Sequence, residues 1–331
     1  MNRFISIATT TQLEAIQSLQ GLPALSPKIF AQHKPDAHWV LVQNDMIRAS
    51  CSLWWRNTPA YLDHQVGLIG HYQAEDNESA ALLLNHACQQ LTEQNCTIVI
   101  TPIDGNTWRR YRFIIDRGSE PIFFLEPDNP DQWINHFQDQ EFTVLANYQS
   151  SINTDLTYVD PRMEKIAARM HDLGVQIRSI DLANFETELE RIYQLSSISF
   201  RHNFLYTPID RAEFITQYLQ VKPYVKPELT LLAEHQHQLV GFLFAVPDIS
   251  QSQRGQTIDT AIIKTVAALP GKTYAGLGSL LVSQAQSIAR QLGYQRVIHA
   301  LMHDANNSRN LSRHYAHPIR RYSLFSKNLI S

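Results

Sequence analysis

Ala267-Ala-Leu-Pro-Gly-Lys-Thr-Tyr-Ala-Gly-Leu-Gly-Ser-Leu-Leu281 joins two stretches of different periodicity. Before and into it, Thr260-Ala-Ile-Ile-Lys-Thr-Val266 is short, apolar and β-branched, the pattern of a buried strand that Pro270 and Gly271 end. Behind it, Leu277, Leu280, Leu281, Ala285, Ile288, Ala289 and Leu292 recur at helical spacing, and Gly293 predicts a C-cap. A strand, a glycine turn and a helix in this order place unpaired N–H groups at a helix N-terminus, where the dipole adds attraction for phosphate. Glycine at 276 and 278 keeps side chains from holding the phosphate off. Leu281 stands where a dinucleotide fingerprint needs its third glycine, and no Gly-Lys-Ser/Thr opens the helix as in a P-loop. The stretch predicts a phosphate cradle of another kind, with a plain tight turn as the competing reading.

Upstream, Leu229–Ala233 and Gln238–Ala245 read as a hairpin around Glu234-His-Gln-His237, and Phe185–Phe200 as a long helix. Arg162–Leu173 is a helix closed by Gly174, with a strand over Val175–Ile180. Downstream lie a strand at Gln295–Leu301, an Asn-rich turn with a short helix ending at Tyr315, and a last strand at Arg321–Phe325. The first half repeats the order: strands at 39–43, 47–55 and 66–72, a helix over Ser79–Gln94, and a buried strand at Cys96–Thr101. The stretch Asn147–Pro161 shows no clear periodicity, so the domain boundary is expected there, dividing the chain into 1–150 and 151–331.

The 331 residues suffice for two domains, and 44% hydrophobic content suffices for packed cores. A formal net charge of −3 leaves no footprint for nucleic acid. Cys51, Cys88 and Cys96 cannot all pair and lack metal-ligand spacing, which fits a reducing interior and no metal. No apolar segment reaches membrane-spanning length, so a soluble cytoplasmic protein without a membrane partner is expected.

The layout of the second half resembles the GNAT acyltransferase superfamily. Its central motif, Gln/Arg-x-x-Gly-x-Gly/Ala at a strand–helix junction, is matched by Thr273-Tyr-Ala-Gly276-Leu-Gly278, with Lys272 beside the position where Thr273 replaces the usual residue. The strand Lys264–Pro270 resembles the splayed strand on which the pantetheine arm of coenzyme A pairs. Asn306-Asn-Ser-Arg-Asn-Leu-Ser-Arg-His-Tyr315 resembles the family's second segment, with Tyr315 as its tyrosine. The resemblance implies an α/β (α+β) chain of two GNAT-like domains in tandem, each a mixed, mostly antiparallel sheet flanked by helices. It implies an acetyl-CoA or other acyl-CoA site built from Val266, Ala267, Ala268, Lys272, Thr273, Ala275, Gly276, Leu277, Gly278, Ser279, Leu280, Asn307 and Asn310. At the corresponding turn of the first half, Gln73-Ala-Glu-Asp-Asn-Glu-Ser79 has no glycine, and Glu75, Asp76 and Glu78 would repel a pyrophosphate. That half is expected to lack a cofactor site.

The implied reaction is acyl transfer to an amine of a small molecule or protein. N–H groups from Leu277 to Leu280 would hold the pyrophosphate, and one near Val266 or Ala267 the oxyanion. Tyr315 is the candidate acid; Asp259, Glu234, His299 and Asp248, on or at the ends of central strands, are the candidate bases. His202-Asn-Phe-Leu-Tyr206 is aromatic enough to line an acceptor pocket, though packing of a connector explains it equally. Two other readings are a non-catalytic acyl-CoA or metabolite sensor and an aminoacyl-tRNA-dependent transferase, whose basic channel the net charge opposes.

Overall fold

In a computed structural model, residues 2–305 and 315–329 are described. The first half runs β1 (Asn2–Ile7), α1 (Thr10–Ala15), β2 (Gln20–Gly21), α2 (Pro27–His33), β3 (Ala37–Gln43), β4 (Met46–Trp54), β5 (Val66–Ala74), α3 (Asn77–Glu93), β6 (Ile98–Thr101), β7 (Phe113–Asp116), α4 (Gln132–Gln138) and β8 (Thr143–Asn153). The second runs α5 (Arg162–Asp172), β9 (Gln176–Ser179), α6 (Phe185–Ser199), α7 (Arg211–Leu219), β10 (Leu231–His235), β11 (Gln238–Pro247), α8 (Ile249–Gln253), β12 (Thr260–Ala268), α9 (Leu277–Gln291), β13 (Arg296–His303) and β14 (His317–Asn328). Gln236 and His237, both at positive φ, make the two-residue turn between β10 and β11.

One continuous mixed sheet carries both halves, in the order β1-β3-β4-β5-β6-β14-β8-β13-β12-β11-β10-β9. Parallel pairing joins β5 to β6, β12 to β13 and the short β2 to β4, and the other ladders are antiparallel. The two central strands are exchanged between halves. The chain's last strand, β14, pairs with β6 and β7 of the first half, while β8 pairs with β13 of the second. β8 and β14 also pair with each other and close the sheet.

The aperiodic reading of 147–161 is corrected here: residues up to Asn153 belong to β8, and residue 150 falls inside that strand. Its polar side chains, exposed at Asn147 and buried at Ser150 and Asn153, bond to partners remote in sequence. Ser150 Oγ lies 2.9 Å from Tyr322 Oη, Ser323 Oγ donates to Asn147 Oδ1 at 2.7 Å, and Asn153 Nδ2 donates to Gln286 Oε1 at 2.5 Å. Helices α2 and α4 are also additions to the sequence reading.

Apolar cores lie on both sides of the sheet. In the second half, α6 and α7 cover one face around Phe185, Phe214 and Phe242, and α5 and α9 cover the other around Leu277, Leu281 and Leu243. A Cβ at Gly241 would stand 2.8 Å from Leu277 Cδ2, so that glycine lets the start of α9 rest directly on the sheet. At the other end Gly293 (φ +92) donates to Arg290 O and Tyr294 to Ala289 O, a Schellman closure of the helix.

Candidate active site

The site is opened by two strands that part. β12 and β13 pair only from Thr260–Arg296 to Ile263–His299, after which β12 continues to Ala268 and β13 to His303 without bonding each other. Each has an irregularity at the fork. On β12, Ile263 and Thr265 face consecutive residues of β11, which leaves Lys264 as a bulge. On β13 the register against β8 shifts between His299 and Met302, and Leu301 has φ +61.

Helix α9 begins over this gap. Gly276, at φ +86, is its N-cap. Of the N–H groups from Leu277 to Leu280, that of Leu277 is engaged by Tyr274 O and that of Leu280 by Gly276 O. Those of Gly278 and Ser279 lie in the first turn, where an α-helix offers no internal acceptor. The nest is therefore narrower than the sequence reading and centres on Gly278 and Ser279. Among the described residues a Cβ built on Gly278 meets only Val266 Cγ2, at 3.8 Å, beside the splayed strand. Lys272, Thr273 and Ala275 are exposed at the rim. Arg169, on α5, donates to the Ala275 carbonyl and adds a cation that sequence spacing gave no means to find, since 106 residues separate the two.

The proposed acid and bases are distributed unevenly. His299 is buried beside the fork; its Nε2 has no partner among the described residues, and burial lowers its pKa to about 4. Its ring lies 5.9 Å from that of Tyr315. The Tyr315 hydroxyl accepts from Gln286 Nε2 at 3.2 Å, and burial raises its pKa to about 12. Asp259 sits at the opposite, paired end of β12. There it accepts from Gln251 at 2.6 Å and Thr260 at 2.7 Å and pairs with Arg296 at 3.3 Å, contacts that outweigh burial and lower its pKa. Glu234 is held by Arg178 and Arg191, each at 2.6 Å. Asp248 caps α8 and accepts from the Phe124 N–H at 2.8 Å. The geometry thus joins His299 and Tyr315 to the fork and leaves the three carboxylates in structural contacts. Asn307 and Asn310 lie outside the described residues.

No family model matches the chain. Protein YghO of Escherichia coli K12 is 22% identical over 182 residues, 54% of this chain and 46% of YghO, so the chain spans about half the length of that relative. Solved structures align far more completely. The GCN5-related glucosamine N-acetyltransferase region of a fungal multi-domain GH3 β-N-acetylglucosaminidase matches 99% of this chain and 38% of its own, at 14% identity and TM-score 0.54. A GCN5-related N-acetyltransferase from Anabaena variabilis matches 99% of this chain and 73% of its own, at 10% identity and TM-score 0.54. A tandem GNAT protein from the clavulanic acid biosynthesis pathway matches 100% of this chain and 99% of its own, at 10% identity and TM-score 0.50. The fold is that of a tandem GNAT protein.

In this tandem GNAT fold the first half has its own fork. β5 and β6 pair only over Val66–Leu68 and Ile98–Ile100. The helix start beyond it is already satisfied: Asp76 Oδ1 accepts from the Ser79 N–H at 2.8 Å, and Arg48 pairs with Glu75 and Asp76 at 2.7 Å each. Trp133 Nε1 donates to the Ala74 carbonyl at 3.3 Å.

Between the two forks lies one cavity of about 1350 Å³, into which His202, Asn203, Phe204 and Tyr206 do project, together with His299, Lys264, Tyr148 and Trp108. From the first half it also meets a histidine chain that the sequence reading missed. His38 Nδ1 and His71 Nδ1 both lie 2.8 Å from Ser52 Oγ, and His71 Nε2 lies 2.8 Å from His33 Nδ1. Burial lowers the pKa of His33, His38 and His71 to about 3 and raises that of Asp104, whose Oδ1 accepts from the His71 N–H at 2.6 Å, to about 6. His33, His71 and Asp104 bring one ligand atom each within 4.8 Å of the others. Yet the two rings are tilted only 23° apart with their nitrogens facing, the geometry of a hydrogen bond. Among the described residues no helix is long and apolar enough to cross a membrane.

Proposed function

We propose that the chain is an acyl-CoA-dependent N-acyltransferase, most simply of acetyl-CoA, with its cofactor site at the β12–α9 junction of 151–331 and none in 1–150. The observation that carries this reading is the first turn of α9, where the N–H groups of Gly278 and Ser279 have no acceptor within the helix and Gly278 carries no side chain beside the β12/β13 fork. The residues there fit a pyrophosphate: a bare backbone, a helix N-terminus, and Lys272 and Arg169 at the rim. Bound acyl-CoA supplies an activated thioester: the amine nitrogen bonds to the carbonyl carbon, the C–S bond breaks, and the sulfur leaves as a thiol carrying a proton in place of the one the amine gives up.

The chain's own contributions are placement and proton handling. Val266 and its neighbours on the unpaired edge of β12 align the donor, and the cavity between the forks receives the amine. His299 is neutral at pH 7, and its buried Nε2, unpartnered among the described residues, is the acceptor for the amine proton. Tyr315, protonated throughout the working range, is the donor for the departing sulfur; its hydroxyl oxygen accepts from Gln286, a bond that leaves its own proton for donation.

Isothermal titration with acetyl-CoA and thiol release with a panel of amines test the proposal. One site per chain and amine-dependent thiol release are expected. Binding without turnover supports a sensor instead, and no binding overturns both.

A further inference from the structure

Two cations face the throat of the fork without a carboxylate partner among the described residues. Lys264 occupies the bulge of β12, one residue beyond the last pair with β13; its Nζ donates to the Leu125 carbonyl at 2.8 Å and makes no ion pair among the described residues. Arg112 comes from the first half and reaches the opposite wall. Its guanidinium lies over the rings of Tyr111 and Tyr148, 3.9 and 4.3 Å from their centroids, and Nη1 donates at 3.0 Å to the carbonyl of Leu301, two residues beyond the fork on β13. Arg112 is 6% exposed, and its Nε is buried with no acceptor among the described residues.

The acids of the same cavity are committed elsewhere. Glu126 pairs with Arg320 at 2.9 Å and accepts from the Tyr322 hydroxyl, and Asp104 accepts from the His71 N–H. Residues 306–314 contain no Asp or Glu that could supply a counter-ion. Two like charges sharing a low-dielectric cavity cost free energy unless an anion joins them. The cost registers on Lys264: burial, then the nearby Arg112 charge, lowers its pKa to about 7, against an opposing effect of Glu126. Guanidinium and ammonium together suit an oxyanion, the first through directed N–H groups and the second as a point charge.

We infer that Lys264 and Arg112 form an anion subsite at the throat of the β12/β13 fork, which takes a carboxylate or phosphate group of the acceptor molecule. The assignment of that anion to an amine acceptor rests on the acyl-transfer reading; the subsite itself does not. Such an acceptor would present its amine toward the splayed edge while its oxyanion is held across the gap, a placement that favours amino acids or phosphorylated amines over simple amines.

The test is protection of Lys264 in the wild-type protein. Acetic anhydride acetylates accessible neutral amines, and peptide mass spectrometry reads Lys264 against the exposed Lys272 as internal control. Sodium acetate or phosphate, compared with chloride at equal ionic strength, is expected to slow labelling of Lys264 about tenfold at ten times the anion's Kd and to leave Lys272 unchanged. Stronger protection by acetate identifies a carboxylate, and stronger protection by phosphate a phosphate. Arg112→Met should remove most of the protection and Arg112→Lys restore part of it; should Arg112→Met not fold, the wild-type comparison decides alone. Equal labelling of Lys264 in all three salts overturns the subsite. Acetyl-CoA binding without anion protection leaves acyl transfer standing and sinks the subsite, whereas protection without acetyl-CoA binding does the reverse.

Discussion

Gly276 and Gly278 lie two residues apart and have different duties. Gly276 turns the chain into α9 at φ +86, and a Cβ there would stand 3.0 Å from Ile166 Cδ1, so it is needed for the backbone. Gly278 is helical and faces the fork, where a side chain has room. Gly276→Ala should therefore cost about 1–2 kcal/mol of stability, read as a shift in urea midpoint. Gly278→Glu should keep the fold, by far-UV dichroism and midpoint, and abolish acetyl-CoA binding in a titration. Wild-type affinity in Gly278→Glu would move the site elsewhere. A different kind of residue effect is expected at Glu126, whose carboxylate is fully buried with Arg320. Glu126→Gln leaves that guanidinium uncompensated and should cost about 3–5 kcal/mol, as breaking a buried pair does; a loss within experimental error in denaturant unfolding would contradict the pairing.

Elements with local signals could be read from sequence, and elements defined by distant partners could not. β12, the glycine turn and α9 show a β-branched run, a bare turn and a 3.6 period within about thirty residues, and each appears where the pattern places it. β8 has no such pattern because its polar side chains, Asn147 at the surface and Ser150 and Asn153 in the interior, are satisfied by Ser323, Tyr322 and Gln286 from the far end of the chain. The site divides in the same way. Lys272, Gly276 and Gly278 are visible as a motif, whereas Arg169, Arg112 and the His38–Ser52–His71–His33 chain become neighbours only through folding. At the start of α3 the acids read as repelling phosphate also hold Arg48, so Glu75→Ala should cost less than about 1 kcal/mol and leave acetyl-CoA affinity and its one-per-chain stoichiometry unchanged. Two sites in a titration of either protein would refute an empty first half. The histidine chain, which links α2, β3, β4 and β5, predicts a pH dependence. Burial holds His33, His38 and His71 near 3 and His299 near 4, against 6.5 when unfolded. The unfolded chain then binds more protons between those values. The stability they contribute is complete above pH 6.5 and is lost as pH falls toward 3. Urea midpoints should drop between pH 7.5 and 4.5, with a shallower fall in His38→Gln; equal slopes would exclude His38 from the effect.

At the scale of the whole molecule, the exchange of β8 and β14 joins two similar halves through one sheet, which predicts a single cooperative body. Each half's sheet is completed by a strand from the other part of the chain: β14 fills the place beside β6, and β8 the place beside β13. The same exchange brings Arg112 of the first half to Leu301 of the second and sets the single cavity between the two forks. A cut at residue 150 would pass through β8, and either fragment would expose a long unpaired strand edge with a buried polar face. Stopping the chain after Ala316 would remove the partner of β6, β7 and β8 together, along with Tyr322, Leu324 and Phe325 from the core. Chains 1–150 and 1–316 are therefore expected to lack the cooperative unfolding transition of the full chain, and 151–331 to lack one as well. Full-length protein should unfold in a single transition seen identically by tryptophan fluorescence, which samples mainly the first half, and by far-UV dichroism. Two separate transitions, or a fragment 151–331 that unfolds cooperatively on its own, would show that the halves fold independently and that the exchanged strands only tether them.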